Sequence, residues 1–328
     1  MSANYPTQYF IRDICINPAV VLAPMEGVTN IMFRRFIRKI GGTGLTYTEF
    51  IPSKALSGKG SKVLKMTEFD PDETPIAIQI FGKDPKYMAT AAKVVQDLGA
   101  SILDINMGCP SKQVCANSGG SALMKEPDLA IEIVKAVRKA VDIPLTVKMR
   151  SGFDHDCKNA PDLAYACQEE GAEGITVHWR TRTDNYGGIQ EWETIRKVKE
   201  KLRIPVIGNG DIIDVQSAKK MFDETKCDAV MIGRGAMKNP WCILEIAQFL
   251  KGLPYTPPNA NDKKEMLLDL LNTYSSQISY EPSSLGKFKQ IAKYFIGELS
   301  NAEDFRKTLL RAQTIQEASL MIHDFFEQ

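Results

Sequence analysis

Apolar and polar positions follow two rhythms along this chain, and the alternation between them sets its architecture. Short runs rich in Val, Ile and Leu recur at Val20–Met25, Gly44–Phe50, Ile76–Phe81, Ile102–Asn106, Leu145–Arg150, Ile175–Trp179, Val206–Asn209 and Ala229–Gly233. Near-continuous apolar runs of that length are the pattern of strands covered on both faces. Between them lie segments with apolar residues at i, i+3 and i+4, clearest at Pro85–Leu98, Pro127–Ala140, Trp192–Leu202 and Val215–Phe222. Pro85 and Pro127 suit a first helical turn, where the missing N–H is not needed. The stretch Pro52–Thr67 is less regular and rich in Gly and Lys. About eight strands, each followed by a stretch that can be helical, predict an α/β fold closed as a (β/α)8 TIM barrel.

After Leu253 the strand rhythm stops. Pro254-Tyr255-Thr256-Pro257-Pro258-Asn259 reads as a linker. Beyond it Met266, Leu267, Leu270, Leu271, Tyr274 and Ile278 make one helical stripe, and Phe288, Ile291, Phe295 and Leu299 make another. Thr314 and Glu317 have the spacing of a capping box for a last helix through Phe325. The expected division is therefore a barrel domain, 1–253, and a small helical bundle, 254–328. Such a bundle either binds something or covers the mouth, or else serves packing or dimerisation.

Composition narrows the partners. With 328 residues, 44% of them hydrophobic, the chain can bury one large core and a small one. A formal net charge of +1 excludes a globally basic protein, so a nucleic-acid surface would have to come from local clustering. The seven cysteines lack disulfide-framework spacing, Met1–Arg12 holds no apolar signal core, and no run reaches membrane-spanning length. These features lead us to expect a reducing, cytoplasmic setting, no membrane and a monomer.

Candidate chemistry gathers where strands end. In Ile102–Leu123 the strand gives way to a loop broken by Gly108, Pro110, Asn117, Ser118, Gly119 and Gly120, with Cys109 at the junction. Cysteine is usually a buried small hydrophobe. Gly108 and Pro110 instead fix an irregular turn that would present this thiol at the barrel mouth. Cys115 in the same loop leaves a redox or metal pair open, but no His or Cys cluster lies near to complete a metal site, and none is predicted. The other strand ends bring Met25, Glu26, Glu49, Gln79, Asn106, Lys148, Arg150, His178, Arg180, Asn209, Asp211 and Arg234 to the same rim, as a ligand-lined mouth requires. Gly208-Asn209-Gly210-Asp211 and Gly233-Arg234-Gly235 follow the seventh and eighth strands, where barrels repeatedly bind phosphate. Lys148 either points its charge across the mouth or pairs with a carboxylate such as Glu49 or Asp104.

The series Ala23-Pro24-Met25-Glu26-Gly27-Val28-Thr29, Gln79-Ile80-Phe81-Gly82, Asp104-Ile105-Asn106-Met107-Gly108-Cys109-Pro110, Val147-Lys148-Met149-Arg150, Val177-His178-Trp179-Arg180-Thr181-Arg182, Gly208-Asn209-Gly210-Asp211 and Met231-Ile232-Gly233-Arg234 resembles, in order, the motifs of the tRNA-dihydrouridine synthases. Asn-x-Gly-Cys-Pro is the most specific part. The resemblance implies an FMN-dependent reduction of uridine to 5,6-dihydrouridine in tRNA, with NADPH as reductant. It also implies that Pro24, Met25 and Glu26 lie along the flavin, Gln79 and Lys148 meet its polar edge, and His178 lies close by. Asn209, Gly210, Asp211, Gly233 and Arg234 would hold its phosphate. Trp179 departs from the small residue more usual at that place.

On that reading Cys109 is the general acid, protonated at neutral pH because an unperturbed thiol titrates near 8.5. A base stacked in folded RNA must be flipped into the mouth, where Asn106, Arg180, Arg182 and Tyr186 would receive it. Lys287, Lys289 and Lys293 would form a basic face of the tail for tRNA. Two alternatives come from other classes: an FMN barrel reductase of a free small molecule, of the dihydroorotate or ene-reductase type, and a non-catalytic tRNA-binding protein. The basic tail speaks against the first, Cys109 with Lys148 against the second.

Overall fold

The computed structural model describes residues 5–111, 119–184, 187–296, 299 and 302–327. Eight parallel strands are present: β1 (Val20–Leu22), β2 (Thr46–Tyr47), β3 (Ile76–Phe81), β4 (Ile102–Met107), β5 (Leu145–Arg150), β6 (Gly174–His178), β7 (Val206–Asn209) and β8 (Ala229–Ile232). They pair in sequence order from β2 round to β8, and β8 pairs with β1. The ring closes between β1 and β2, where the Leu22 N–H donates to Leu45 O at 3.0 Å and the Gly44 N–H to Val20 O at 2.8 Å. A Cβ on Gly44 would lie 2.2 Å from the Pro18 carbonyl oxygen, so the closing seam admits only glycine there. The predicted (β/α)8 barrel is the fold observed.

Two strands are shorter than the apolar runs suggest, each for a local reason. The first stops at Leu22 because the Met25 carbonyl turns to accept the N–H groups of Val28 and Thr29. The second is split. After Tyr47 the Thr48 hydroxyl takes the Gln79 N–H at 3.2 Å, the place of a ladder carbonyl, and pairing with β3 resumes only at Ile51–Pro52.

Outside the barrel, helices occupy Pro85–Asp97, Pro127–Ala140, Glu193–Lys201 and Val215–Thr225, close to expectation. Asp84 caps the first through Lys86 N at 2.8 Å, and Asp214 caps the last through Ser217 N at 2.8 Å. Helices Ile31–Ile40 and Ala160–Glu169 are additional. So is an antiparallel hairpin, Tyr9–Ile11 with Ile14–Ile16, whose strands are too short for any periodicity to register. Its Tyr9, Ile11 and Ile16 are buried, and Ile11 reaches Gly174 at the amino end of β6, so the hairpin plugs the floor of the barrel.

The tail forms helices Ala260–Gln277, Glu281–Ile296, Glu303–Leu309 and Ile315–Glu327. Met266, Leu267, Leu270, Leu271, Tyr274, Phe288, Ile291 and Phe295 are buried as their spacing predicts. Thr314 Oγ1 accepts the Glu317 N–H at 3.1 Å, whereas the Glu317 carboxylate takes the Gln313 N–H, one residue before the reciprocal partner of a full box. The tail docks beside the barrel mouth. Trp241 packs on Phe295 with ring centroids 5.7 Å apart, Lys39 pairs with Asp269 at 2.7 Å, and Gln290 Nε2 donates to Gly27 O at 3.2 Å. Among the described residues no helix is long and apolar enough to cross a membrane.

Candidate active site

Polar residues placed at alternate positions of otherwise apolar strands share one face, and here that face is the barrel interior. Gln79, Asp104 and Thr146 are register partners on β3, β4 and β5, and two residues further along Asn106 pairs with Lys148. Asp104 is fully buried and accepts from Gln79 Nε2 at 2.5 Å and from the Thr146 hydroxyl at 2.5 Å. Burial pushes its carboxyl up to about 6, against those hydrogen bonds and the pull of Lys148. Gln79 Oε1 in turn accepts from Asn106 Nδ2 at 2.7 Å. Asn106 Oδ1 accepts the N–H groups of Gly108 at 3.0 Å and Cys109 at 2.9 Å. The Cys109 carbonyl takes the Ser121 N–H and hydroxyl, at 3.1 and 2.8 Å. Cys109 is thus held on both sides, with its residue half-buried at the mouth.

Facing it, strands β5 to β8 carry cations. Half-buried Lys148 donates to Asn209 Oδ1 at 2.9 Å, its one hydrogen-bond partner among the described residues; neither Glu49 nor Asp104 pairs with it. Burial, and after it the neighbouring Arg150, lower its pKa to about 8. Asn209 Nδ2 is fixed to Met231 O at 2.8 Å. His178 accepts the Arg180 N–H on Nδ1 at 3.1 Å, which leaves the proton on Nε2. Burial first, then Lys148, Arg150, Arg180 and Arg234, hold this imidazole well below its ordinary pKa, so it is neutral.

Asp211 binds Arg180 through both carboxylate oxygens, at 3.0 and 2.7 Å, and Arg234 at 3.0 Å. Gly210 between them has φ +116°, and a Cβ there would lie 2.4 Å from Trp179 Cδ1 and 2.9 Å from His178 Cε1. Trp179, the departure from the family pattern, is buried against this glycine under the Arg180 guanidinium, 4.2 Å from its ring. On the remaining side of the mouth, Gly27 donates its N–H to the Glu49 carboxylate and accepts from Gln290, which ties the loop holding half-buried Pro24 and Met25 and exposed Glu26.

The structure therefore gathers Pro24, Met25, Gln79, Asn106, Cys109, Lys148, His178, Asn209, Gly210, Asp211, Gly233 and Arg234 at one barrel end. It changes the expected part of several. Arg180 is buried, spent on Asp211 and on Gly187 O at 2.7 Å, and so cannot swing to receive a base. Asn106 spends its oxygen on the Cys109 turn. The Asp211 side chain faces two arginines, which leaves only its backbone for an anion. Arg182 is half-buried, its guanidinium 5.4 Å from the Phe153 ring. Tyr186 and Cys115 lie outside the described residues.

The expected lysine face also divides. Lys287 is exposed, half-buried Lys289 donates to Ala312 O, and Lys293 stands 4.8 Å over Tyr294. Lys287 and Lys289 lie roughly 200° apart around one helix, so they cannot serve one surface. Thr146, the Glu49 link to Gly27, and Gln290 were absent from the expected site. The signal for Thr146 was present in its spacing of two from Lys148 on a buried strand.

Comparison with known proteins agrees with this geometry. The family model described as dihydrouridine synthase matches residues 21–328. A probable tRNA-dihydrouridine synthase of Rickettsia bellii is 40% identical over 301 residues, covering 90% of this chain and 91% of that one. The tRNA-dihydrouridine synthase B of Xanthomonas campestris is 37% identical over 318 residues, covering 97% and 95%. Among solved structures, morphinone reductase superposes with TM-score 0.53 at 13% identity over 79% of this chain and 93% of its own, a likeness of fold alone. Nearly the whole chain is thus matched, from the first barrel strand through the helical tail, and it belongs to the dihydrouridine synthase family.

Proposed function

We propose that this protein is a tRNA-dihydrouridine synthase: an oxidoreductase that holds FMN at the barrel mouth, takes electrons from NADPH and reduces a uridine of tRNA to 5,6-dihydrouridine. The observation that carries the reading is the proximity of Cys109, clamped at the end of β4, to Lys148, a half-buried ammonium that among the described residues has no carboxylate partner.

The donor set fits such a cofactor. Lysine has three N–H donors and Lys148 uses one on Asn209, so positive charge remains directed at the mouth. Gly210 lets the backbone run close against the Trp179 and His178 rings, where a Cβ would not fit, and Arg234, half-exposed at 51%, can reach a phosphate while Asp211 steadies its other edge. Pro24, Met25, Gln79, Lys148 and His178 would hold the ring, and Gly210, the Asp211 backbone, Gly233 and Arg234 the phosphate. When bound, the flavin supplies the hydride that goes to C6 of the uracil.

The remaining work belongs to side chains. Lys148 offsets negative charge at the polar edge of the ring in a partly dry site. His178, neutral, offers an Nε2–H donor without adding a competing charge. C5 of the uracil needs a proton as C6 gains hydride. Cys109 gives it from sulfur and recovers one from water, so base and enzyme end balanced. Gln290 on Gly27 places the tail at the rim, where exposed Lys287 can meet tRNA phosphates.

The test begins with the absorbance spectrum of the purified protein, followed by dihydrouridine formation on unmodified tRNA with NADPH. Flavin bands and NADPH-dependent product are expected. A colourless protein that FMN cannot reconstitute removes the reading.

A further inference from the structure

Asp104 is a fully buried carboxyl that the chemistry above does not use. Its surroundings have a definite polarity. Ionised, it only accepts, so the Gln79 amide must present its NH2 group, and Thr146 its hydroxyl hydrogen. Gln79 then has only its oxygen for Asn106, which must answer with Nδ2. That leaves Asn106 Oδ1 for the backbone N–H groups of Gly108 and Cys109, which only donate. Every donor in this row points toward Asp104, and turning either amide would oppose donor to donor or acceptor to acceptor. Such aligned chains polarise one another in a low-dielectric interior.

We propose that Asp104 is a positioning residue for the Cys109 acid: its carboxylate, at the floor of the row Asp104–Gln79–Asn106, sets the amide orientations that hold the Cys109 turn in place. The proposal rests on the reading of Cys109 as the proton donor, but its core claim is about the turn. Protonated Asp104 becomes a donor as well as an acceptor, so Gln79 is then oriented from the Asn106 end alone and the row loses its charged anchor. The groups facing this carboxyl are Gln79 from β3, Thr146 and Lys148 from β5, and, at longer range, Tyr47 from β2 and Tyr9 from the hairpin. Burial raises both phenols well above their ordinary values, so they stay neutral. Burial pushes the carboxyl up to about 6, so the row has its charged anchor at neutral pH and loses it as pH falls through that value.

The test compares wild type with Asp104→Asn, a substitution of equal size. Cys109 alkylation by iodoacetamide is followed against pH by mass spectrometry, with half-buried Cys157, outside the row, as internal control. kcat and KM for tRNA are measured alongside. The expected wild-type profile shows an inflection near pH 6 beneath the rise due to the thiol itself. In Asp104→Asn that inflection should vanish and the Cys109 rate change several-fold with Cys157 unaffected. The kcat should fall about 10-fold at unchanged KM, as for a misplaced group. Equal Cys109 profiles in the two proteins overturn the proposal, as does a change shared by Cys157 together with a lowered Tm. Should Asp104→Asn not fold, the wild-type profile decides alone, because absence of an inflection between pH 5 and 7 also overturns it. Full activity of Cys109→Ala with an Asp104-dependent alkylation profile would instead remove the acid assignment and leave the row standing.

Discussion

The two halves of the barrel mouth solve opposite problems with one carboxylate each. On β3 to β5 a buried Asp104 anchors neutral amides, and the one arginine at the turn, Arg150, donates to the Gly108 carbonyl at 2.8 Å rather than to that carboxylate. On β6 to β8 a more exposed Asp211 holds two arginines, next to Gly210 packed against the Trp179 and His178 rings. The first arrangement fixes direction, since amides have a donor end and an acceptor end. The second fixes charge, since Arg234, half-exposed while bound to Asp211, still presents a positive edge to an anion. A reductase acting on a base needs both: a proton source aimed at one atom, and a seat for a phosphate-bearing cofactor.

The sharpest way to separate the halves is to remove one function from each. Cys109→Ala should lower dihydrouridine formation by about 10²-fold or more while flavin content and tRNA affinity stay at wild-type levels. Single-turnover assays with tRNA and the absorbance ratio of flavin to protein check the two sides of that statement. Loss of flavin in this variant would mean that the two halves are not independent.

Gly210→Ala should do the converse. An added Cβ meets Trp179 at 2.4 Å, and φ +116° strains any residue with a side chain, so Trp179 and His178 must move. Expected are a weaker hold on FMN, by about 10-fold, and a destabilisation of about 1–3 kcal/mol. Ultrafiltration after reconstitution and thermal melts measure them. Cys109 alkylation should not change, because nothing in the β3–β5 row touches Gly210.

The barrel was legible in the sequence because strands buried on both faces write themselves as apolar runs, and Ile76–Phe81, Leu145–Arg150 and Val206–Asn209 keep the expected bounds. The floor hairpin was not legible. Three-residue strands around Arg12 carry no period, and their burial is decided by the barrel they plug. At the site, residue types at strand ends indicated which side chains gather at one barrel end but not how they pair. That Arg180 would be consumed by Asp211, from a different strand end, depends on the distance between β6 and β7 loops, and a linear reading contains no such distance. Lys289 was misread similarly: its place beside Lys287 says nothing of Ala312 O, which lies on the far side of the intervening short helix.

A milder comparison uses pH. Lys148 is cationic below about 8 and neutral above, so cofactor hold and its reduction should weaken as pH rises past that value in protein not yet loaded. An anionic ligand favours the charged lysine and moves this limb upward, so the FMN-loaded protein should keep its activity to higher pH than the FMN-binding profile of the stripped protein suggests. Lys148→Arg keeps the charge at all these pH values and should flatten the limb. A limb unmoved by that substitution would assign it to another group.

The smallest effects expected are in the tail, and they divide the three lysines. Lys289 donates to the carbonyl of buried Ala312, so Lys289→Ala leaves that oxygen without its donor and should cost about 1 kcal/mol of stability. Its tRNA affinity and salt dependence should stay as in wild type. Among the described residues Lys287 makes no such internal bond, and it is exposed, so Lys287→Ala should leave the melting temperature unchanged and lower affinity for all tRNAs by a few-fold, with the slope of log affinity against log salt reduced by roughly one. Lys293, over Tyr294, should lie between the two. Titrations of each variant at two salt concentrations, read beside melting curves, decide the matter. A salt slope that falls in Lys289→Ala but not in Lys287→Ala would mean that the RNA lies across the opposite face of the helix Glu281–Ile296.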